Sequence, residues 1–241
     1  MSSSRTINKT PRKDRIIVAL DQEDLGTAKR LVRELSGLIS IFKVGSELFS
    51  SAGPDAVRMV RDAGADVFLD LKYHDIPNTV SRAVRRAASY GVSLVNVHAL
   101  GGLAMMRAAA ESAREADPAT RVIGVTVLTS MDATDLARVG IQDTPEEAVI
   151  RLARLAAEAG LAGVVSSARE VTRLRGECGD GFILVTPGIR PAGADAGDQK
   201  RIVTPRQAFD AGAEYLGVGR PIAAAADVRA AARAVIEEVG E

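Results

Sequence analysis

The chain predicts an α/β fold, a single-domain (β/α)8 TIM barrel. Eight short apolar runs rich in β-branched residues recur along its 241 residues, and a helical pattern follows each. No polar linker separates any two of these units, so nothing marks a second domain. A doubly wound open sheet is the alternative that the pattern leaves.

The predicted strands are Ile16–Leu20, Ile41–Val44, Val67–Leu69, Leu94–Val97, Val122–Val127, Gly163–Val165, Ile183–Val185 and Tyr215–Val218. The first helix should run from about Glu23 to Leu35, because Leu25, Ala28, Leu31, Val32 and Leu35 recur at helical spacing. Thr144-Pro145-Glu146-Glu147 reads as a capping box with proline at the first helical position, and Thr204-Pro205 marks a later start. Gly64, Gly91, Gly160 and Gly212 each close an Ala-rich segment. Met1 to Lys13 has no periodicity and reads as a flexible arm, so the barrel domain is expected over residues 14–241.

Composition agrees with that architecture. Trp is absent and aromatics are 3% of a chain that is 46% hydrophobic, so the core must rest on Val, Ile, Leu and Ala. Such residues suit parallel strands buried on both faces. Lys plus Arg number 31 and Asp plus Glu 31, which leaves no net field to draw the protein to nucleic acid or to an anionic membrane. Any anion site must therefore be local. Cys178 is the single cysteine, which excludes an internal disulfide and reads as an inert loop thiol in a reducing compartment. No apolar run approaches the ~18 residues of a membrane span and no signal peptide precedes the first strand, so a soluble, cytoplasmic protein is expected.

A barrel places its chemistry on the loops at the C-terminal ends of its strands. There the first strand is followed by Asp21, the second carries Lys43 in Phe42-Lys43-Val44-Gly45, and the third runs into Asp70-Leu71-Lys72-Tyr73-His74-Asp75-Ile76-Pro77-Asn78-Thr79. Asp70 and Lys72 are two apart, so on an extended strand end both project toward the barrel mouth. Asp75 precedes a helix capped by Asn78 or Thr79 and must either fold back or reach a neighbouring subunit. An ordinary solvated loop is the bland alternative for each charge taken singly.

The seventh strand ends in Thr186-Pro187-Gly188-Ile189-Arg190 and the eighth in Gly217-Val218-Gly219-Arg220-Pro221. Loops at these two positions commonly bind phosphate, since glycine lets backbone N–H groups approach the oxygens and an arginine supplies a bidentate contact. Glycine as a plain backbone device is the competing account. Between them, Pro191 to Arg201 reads as a lid, with Gln199 a polar contact on closure, or as a tolerated surface loop. His98 ends the fourth strand, where a satisfied structural imidazole is the commoner role, and Thr129 follows the fifth, in position to contact a ligand. Dinucleotide, nucleoside triphosphate, zinc-protease and serine-nucleophile motifs are all missing.

These residues, with Ala19-Leu20-Asp21, Val97-His98-Ala99, Leu128-Thr129-Ser130 and Asp198-Gln199-Lys200-Arg201, carry a family likeness. From about Arg15 to Val235 the sequence resembles the bacterial orotidine 5′-phosphate decarboxylases. The resemblance implies cofactor-independent, metal-free decarboxylation of orotidine 5′-monophosphate to uridine 5′-monophosphate, the last step of de novo UMP synthesis, by a homodimer. It implies that Asp21 and Lys43 contact the ribose, that Asp70, Lys72 and Asp75 flank the reacting carboxylate, and that Lys72 donates the proton. Asp75 and Thr79 would reach the neighbouring subunit's site, Thr129 would lie near the base, Arg190, Gln199, Gly219 and Arg220 would hold the phosphate, and Pro187 would also contact the substrate. Ser166 and Ser167 match less definitely and receive no role. Two rivals remain: a metal-dependent sugar-phosphate decarboxylase, whose acidic metal ligand would stand where this chain has Lys43, and a silent nucleotide-binding barrel, which would be expected to lose the Asp and Lys cluster.

Overall fold

The structure is a computed structural model and describes residues 10–191 and 203–240. Its strands are β1 (Ile16–Ala19), β2 (Ile41–Gly45), β3 (Asp66–Tyr73), β4 (Leu94–His98), β5 (Arg121–Val125), β6 (Gly163–Val165), β7 (Ile183–Thr186) and β8 (Tyr215–Val218). All pair in parallel in chain order, and β8 returns to β1 through Ile17 opposite Gly217, which closes the barrel. The open-sheet alternative is thereby excluded.

Side chains alternate across the barrel wall, as the strand period of two requires. In β1, Ile17 points inward with Ile41, Phe68, Leu94, Ile123, Ile183 and Val185, whereas Ile16 and Val18 join the larger cluster beneath the helices. Burying each such side chain contributes about 1.5–3 kcal/mol. Two nested apolar layers therefore hold the ladder. Gly163 permits the β6–β7 contact, since a Cβ there would stand 2.0 Å from the Ile183 carbonyl oxygen.

The crossovers follow the predicted punctuation with local differences. Helix α1 (Leu25–Leu35) starts later than expected, because the Asp24 carboxylate accepts from Thr27 N–H at 2.9 Å and caps it. Two helices, α2 (Ser46–Ala52) and α3 (Pro54–Asp62), follow β2, parted at Gly53 with φ 57°. Helix α4 (Pro77–Ala88) is capped by neither Asn78 nor Thr79, which lie inside its first turn. Pro77 opens it instead: its ring presets φ and it has no N–H to satisfy. Then come α5 (Gly102–Ala116), α6 (Ala133–Arg138), α7 (Pro145–Glu158), α8 (Val171–Cys178), α9 (Pro205–Asp210), α10 (Arg220–Ala223) and α11 (Val228–Val239). Thr144 and Thr204 form the capping boxes that start α7 and α9. Gly64, Gly91, Gly160 and Gly212 all adopt positive φ, the left-handed conformation of a helix stop.

The last residues of the segment expected as an arm are packed on the barrel. Arg12–Arg15 form a 3-10 turn, and the Arg12 guanidinium donates to Asp210 Oδ1 at 2.8 Å and to the Val239 carbonyl at 3.1 Å. Arg12 and Arg15 both lie over the Phe209 ring, at 5.6 and 4.9 Å from its centroid. Cation–π and ion-pair contacts thus tie Arg12 and Arg15 to the barrel's N-terminal end. Among the described residues no helix is long and apolar enough to cross a membrane.

Candidate active site

Strand β3 runs four residues past its predicted end and is bulged there. Leu69 stands opposite Val95 and Tyr73 opposite Val97, so β3 advances four residues while β4 advances two. Lys72 occupies the bulge with φ 51°, the only non-glycine residue at positive φ among those described. The sequence expectation that Asp70 and Lys72 face one site holds for a different reason than alternation along an extended strand. The left-handed turn swings Lys72 back, and its Nζ lies 2.7 Å from Asp70 Oδ1.

From Lys72 an alternating chain of charge crosses three strands. Asp70 Oδ2 is 3.3 Å from Lys43 Nζ on β2, and Lys43 Nζ donates to Asp21 Oδ1 at 3.0 Å. Gly45 keeps room for this ammonium, since a Cβ there would stand 3.0 Å from Lys43 Nζ. Burial by itself would raise the Asp70 pKa, but Lys43 and Lys72, with hydrogen bonds from Lys72 and Asn96, outweigh it and hold the carboxyl below the usual aspartate range. Burial would likewise lower Lys43, and Asp70 and Asp21 outweigh it, so its ammonium form is favoured beyond that of an ordinary lysine. Asp70 and Lys43 therefore hold each other in their charged forms at neutral pH.

These four residues form one wall of a cavity of about 580 Å³ at the C-terminal mouth of the barrel. Thr129, Pro187, Arg190, Gly219 and Arg220 line the same cavity, with Arg190 almost fully buried and Arg220 exposed. Its floor is apolar, formed by inner-face residues such as Ile17, Phe68 and Val185. One cavity thus holds a carboxylate between two ammoniums and, from the β7 and β8 loops, two guanidiniums. Its chemistry suits an anionic ligand that also presents apolar surface.

Asp75 and Thr79 are not brought to this cavity. Residues 74–79 are all exposed, and Asp75 Oδ1 accepts from the next residue's N–H, Ile76, at 2.6 Å. Asp75 does not fold back onto its own site. Gln199 and the rest of the expected lid beyond Pro191 up to Arg201 lie outside the described residues. His98 is not a satisfied structural imidazole: its Nδ1 is buried with no hydrogen-bond partner among the described residues, and its ring stands 5.6 Å from that of His74. Burial, with His74 and Lys72 nearby, pushes its pKa down. Cys178 ends α8 half-buried, with its thiol pKa pushed up by burial, which makes thiolate chemistry unfavourable.

Two residues gain a place that sequence reasoning did not assign. Ser166 lines the cavity. Asn96, fully buried on β4, donates from Nδ2 to Asp70 Oδ1 at 2.6 Å and accepts the Lys72 backbone N–H on Oδ1 at 2.8 Å. The available signal was an amide interrupting the aliphatic run Leu94, Val95, Val97.

The profile of the family described as orotidine 5′-phosphate decarboxylase / HUMPS matches residues 14–235. The orotidine 5′-phosphate decarboxylase of Moorella thermoacetica is 54% identical over 233 residues, which cover 94% of this chain and 92% of that protein. The enzyme of the same name from Pseudoalteromonas translucida is 57% identical over 209 residues, 86% of this chain and 89% of the relative. Among solved structures, that of orotidine 5′-phosphate decarboxylase from Lactobacillus acidophilus matches with a TM-score of 0.83 at 36% identity, covering 95% of this chain and 100% of its own.

Proposed function

Because the chain belongs to the orotidine 5′-phosphate decarboxylase / HUMPS family, we propose that it decarboxylates orotidine 5′-monophosphate to uridine 5′-monophosphate, with Lys72 as the proton donor. The observation that carries this reading is Asp70 held between the ammoniums of Lys43 and Lys72 in a cavity that also contains Arg190 and Arg220.

The reaction breaks the bond from C6 to the carboxylate and leaves its electron pair on C6. No ring carbonyl is placed to accept that pair, so stabilisation must come from charge already in position. The Lys72 ammonium supplies it, and one Nζ–H proton then passes to C6; the amine recovers its proton from solvent. Asp70 orients Lys72 and stands beside the substrate carboxylate. Arg190 and Arg220, with Gly219 and Gln199, take the phosphate, and Asp21 and Lys43 take the ribose. Binding energy realised at the phosphate is expressed in the transition state at C6. No step calls for a cofactor. Lys43 already pairs with both Asp21 and Asp70, and Lys72 supplies the second positive charge, which weighs against the metal-dependent sugar-phosphate alternative.

The proposal includes a homodimer that completes each site with Asp75 and Thr79 from the neighbouring subunit. Its support is the exposure of the whole run from His74 to Thr79, in which the apolar Ile76 is 66% exposed. The test is the fall in ultraviolet absorbance of orotidine 5′-monophosphate with excess EDTA present. Steady conversion is expected; nucleotide binding without turnover would leave a silent binding barrel instead, and activity lost on chelation would point to the metal-dependent reading.

A further inference from the structure

The bulge in β3 creates a hydrogen-bonding problem. Its two additional residues take the Lys72 N–H out of the β3–β4 ladder, and a buried N–H left without an acceptor is costly. A side chain replaces the missing ladder partner: Asn96 Oδ1 accepts from Lys72 N at 2.8 Å. The same amide donates from Nδ2 to Asp70 Oδ1 at 2.6 Å, and that oxygen also accepts from Lys72 Nζ at 2.7 Å. One closed circuit therefore runs from the Lys72 backbone through Asn96 and Asp70 to the Lys72 ammonium. Partner chemistry fixes the amide's orientation, since a flip would set N–H against N–H and oxygen against oxygen.

Packing alone does not call for an amide here. Asn96 is fully buried between Val95 and Val97, and it does not line the cavity. An aliphatic side chain would fill its place without having to satisfy two polar groups. What the amide adds is a fixed geometry for Lys72, a bulky residue in a left-handed conformation that L side chains disfavour.

We propose that Asn96 is a positioning residue for the decarboxylation inferred above, on which this inference rests. It holds Lys72 in its left-handed turn and anchors the Asp70 oxygen shared with Nζ, so that the ammonium is aimed at C6 before substrate arrives. It acts through Lys72 and Asp70 without touching the substrate.

The experiment measures kcat and KM for orotidine 5′-monophosphate, Kd for uridine 5′-monophosphate and the thermal midpoint, in wild type, Asn96→Ala and Asn96→Asp. In Asn96→Ala, kcat should fall by about 10–100-fold, the scale of a misplacement of about 1 Å at a reacting group. KM and Kd should stay within about twofold, since ground-state contacts are untouched. Asn96→Asp keeps the acceptor for Lys72 N–H and the shape of the side chain, but sets a second carboxylate against Asp70. Its kcat relative to wild type should rise as pH falls, because protonating one carboxyl of the pair restores a donor between them. The titratable groups around that position are Asp70 and Lys72 from the neighbouring β3, Lys43 beyond them on β2, and His98 on its own strand.

An unchanged kcat in Asn96→Ala, with wild type active, overturns the positioning role and leaves the decarboxylase reading intact. A loss in Asn96→Asp with no recovery on acidification assigns Asn96 to packing and overturns it as well. A wild type inactive on orotidine 5′-monophosphate removes the decarboxylase reading and this inference with it.

Discussion

At each end of the barrel a buried carboxylate sits beside cations, and the two arrangements differ in what the cations do next. At the C-terminal rim, Asp70 meets Lys43, Lys72 and Asn96, and both lysines border an open cavity. At the opposite end, Glu214 meets Arg175 of α8, whose guanidinium also donates to the carbonyls of Gly179 at 2.7 Å, Phe182 at 2.9 Å and Gly212 at 2.7 Å. Arg175 spends its donors on loop carbonyls that it ties together, so the pair is a staple. Titration separates them too. Burial pushes Glu214 above the usual glutamate range, and Arg175 and Arg15 offset only part of it, whereas at Asp70 the lysines outweigh burial. A buried ion pair is thus weak testimony to function by itself; one bordering a cavity with its cations unsaturated by backbone is much stronger.

Substitutions at the two ends should therefore fail in different ways. The largest effect is expected for Lys72→Ala: kcat should fall by about 10⁴-fold, the upper range for loss of a general acid. Binding of uridine 5′-monophosphate should remain measurable and the thermal midpoint nearly unchanged. Substantial residual turnover would move the proton donor elsewhere and break the contrast between the ends.

Arg175→Met should do the reverse. Leaving Glu214 buried without its partner costs about 3–5 kcal/mol, which at roughly 2–4 °C per kcal/mol lowers the melting midpoint by about 6–20 °C. Turnover per folded molecule should match wild type; a kcat defect in the folded fraction would show that the N-terminal end couples to the site.

The smallest effect is in the pH dependence of stability, where the two carboxylates have opposite signs. Asp70 lies below its unfolded pKa of about 3.9, so its contribution is complete above that value and is lost as pH falls through the folded pKa. Glu214 lies above its unfolded pKa of about 4.3, so its contribution is complete below that value and is lost as pH rises through the folded pKa. Melting midpoints of wild type, Asp70→Asn and Glu214→Gln across roughly pH 3 to 7 read this directly. The wild-type advantage over Asp70→Asn should shrink on acidification, and that over Glu214→Gln should shrink as pH rises. Parallel curves would show that the two sites do not differ electrostatically.

Much of this site is legible before folding, because barrel chemistry collects at strand ends and the chain prints its charges there. Asp21, Lys43, Asp70, Lys72, Arg190 and Arg220 can each be singled out from position alone, and they line one cavity. Asn96 cannot, since one amide in a strand reads equally as a buried partner or as an outward residue until the inner face is known. The start of α4 is misread for a local reason: Asn78 and Thr79 are good capping residues, but Pro77 just before them takes the first helical position.

By itself the sequence determined the alternation of strand and helix, the stops at glycine, the capping boxes, and which segments stand at the C-terminal rim. These depend on patterns within a few residues, where propensity and periodicity act. Only the tertiary structure decided that β8 pairs with β1, that Asp70 falls between Lys43 and Asn96, and that Lys72 turns left-handed to meet Asp70. Those relations are set by ladder register and a bulge between strands more than twenty residues apart, where hydrogen-bond accounting across the barrel overrides local preference.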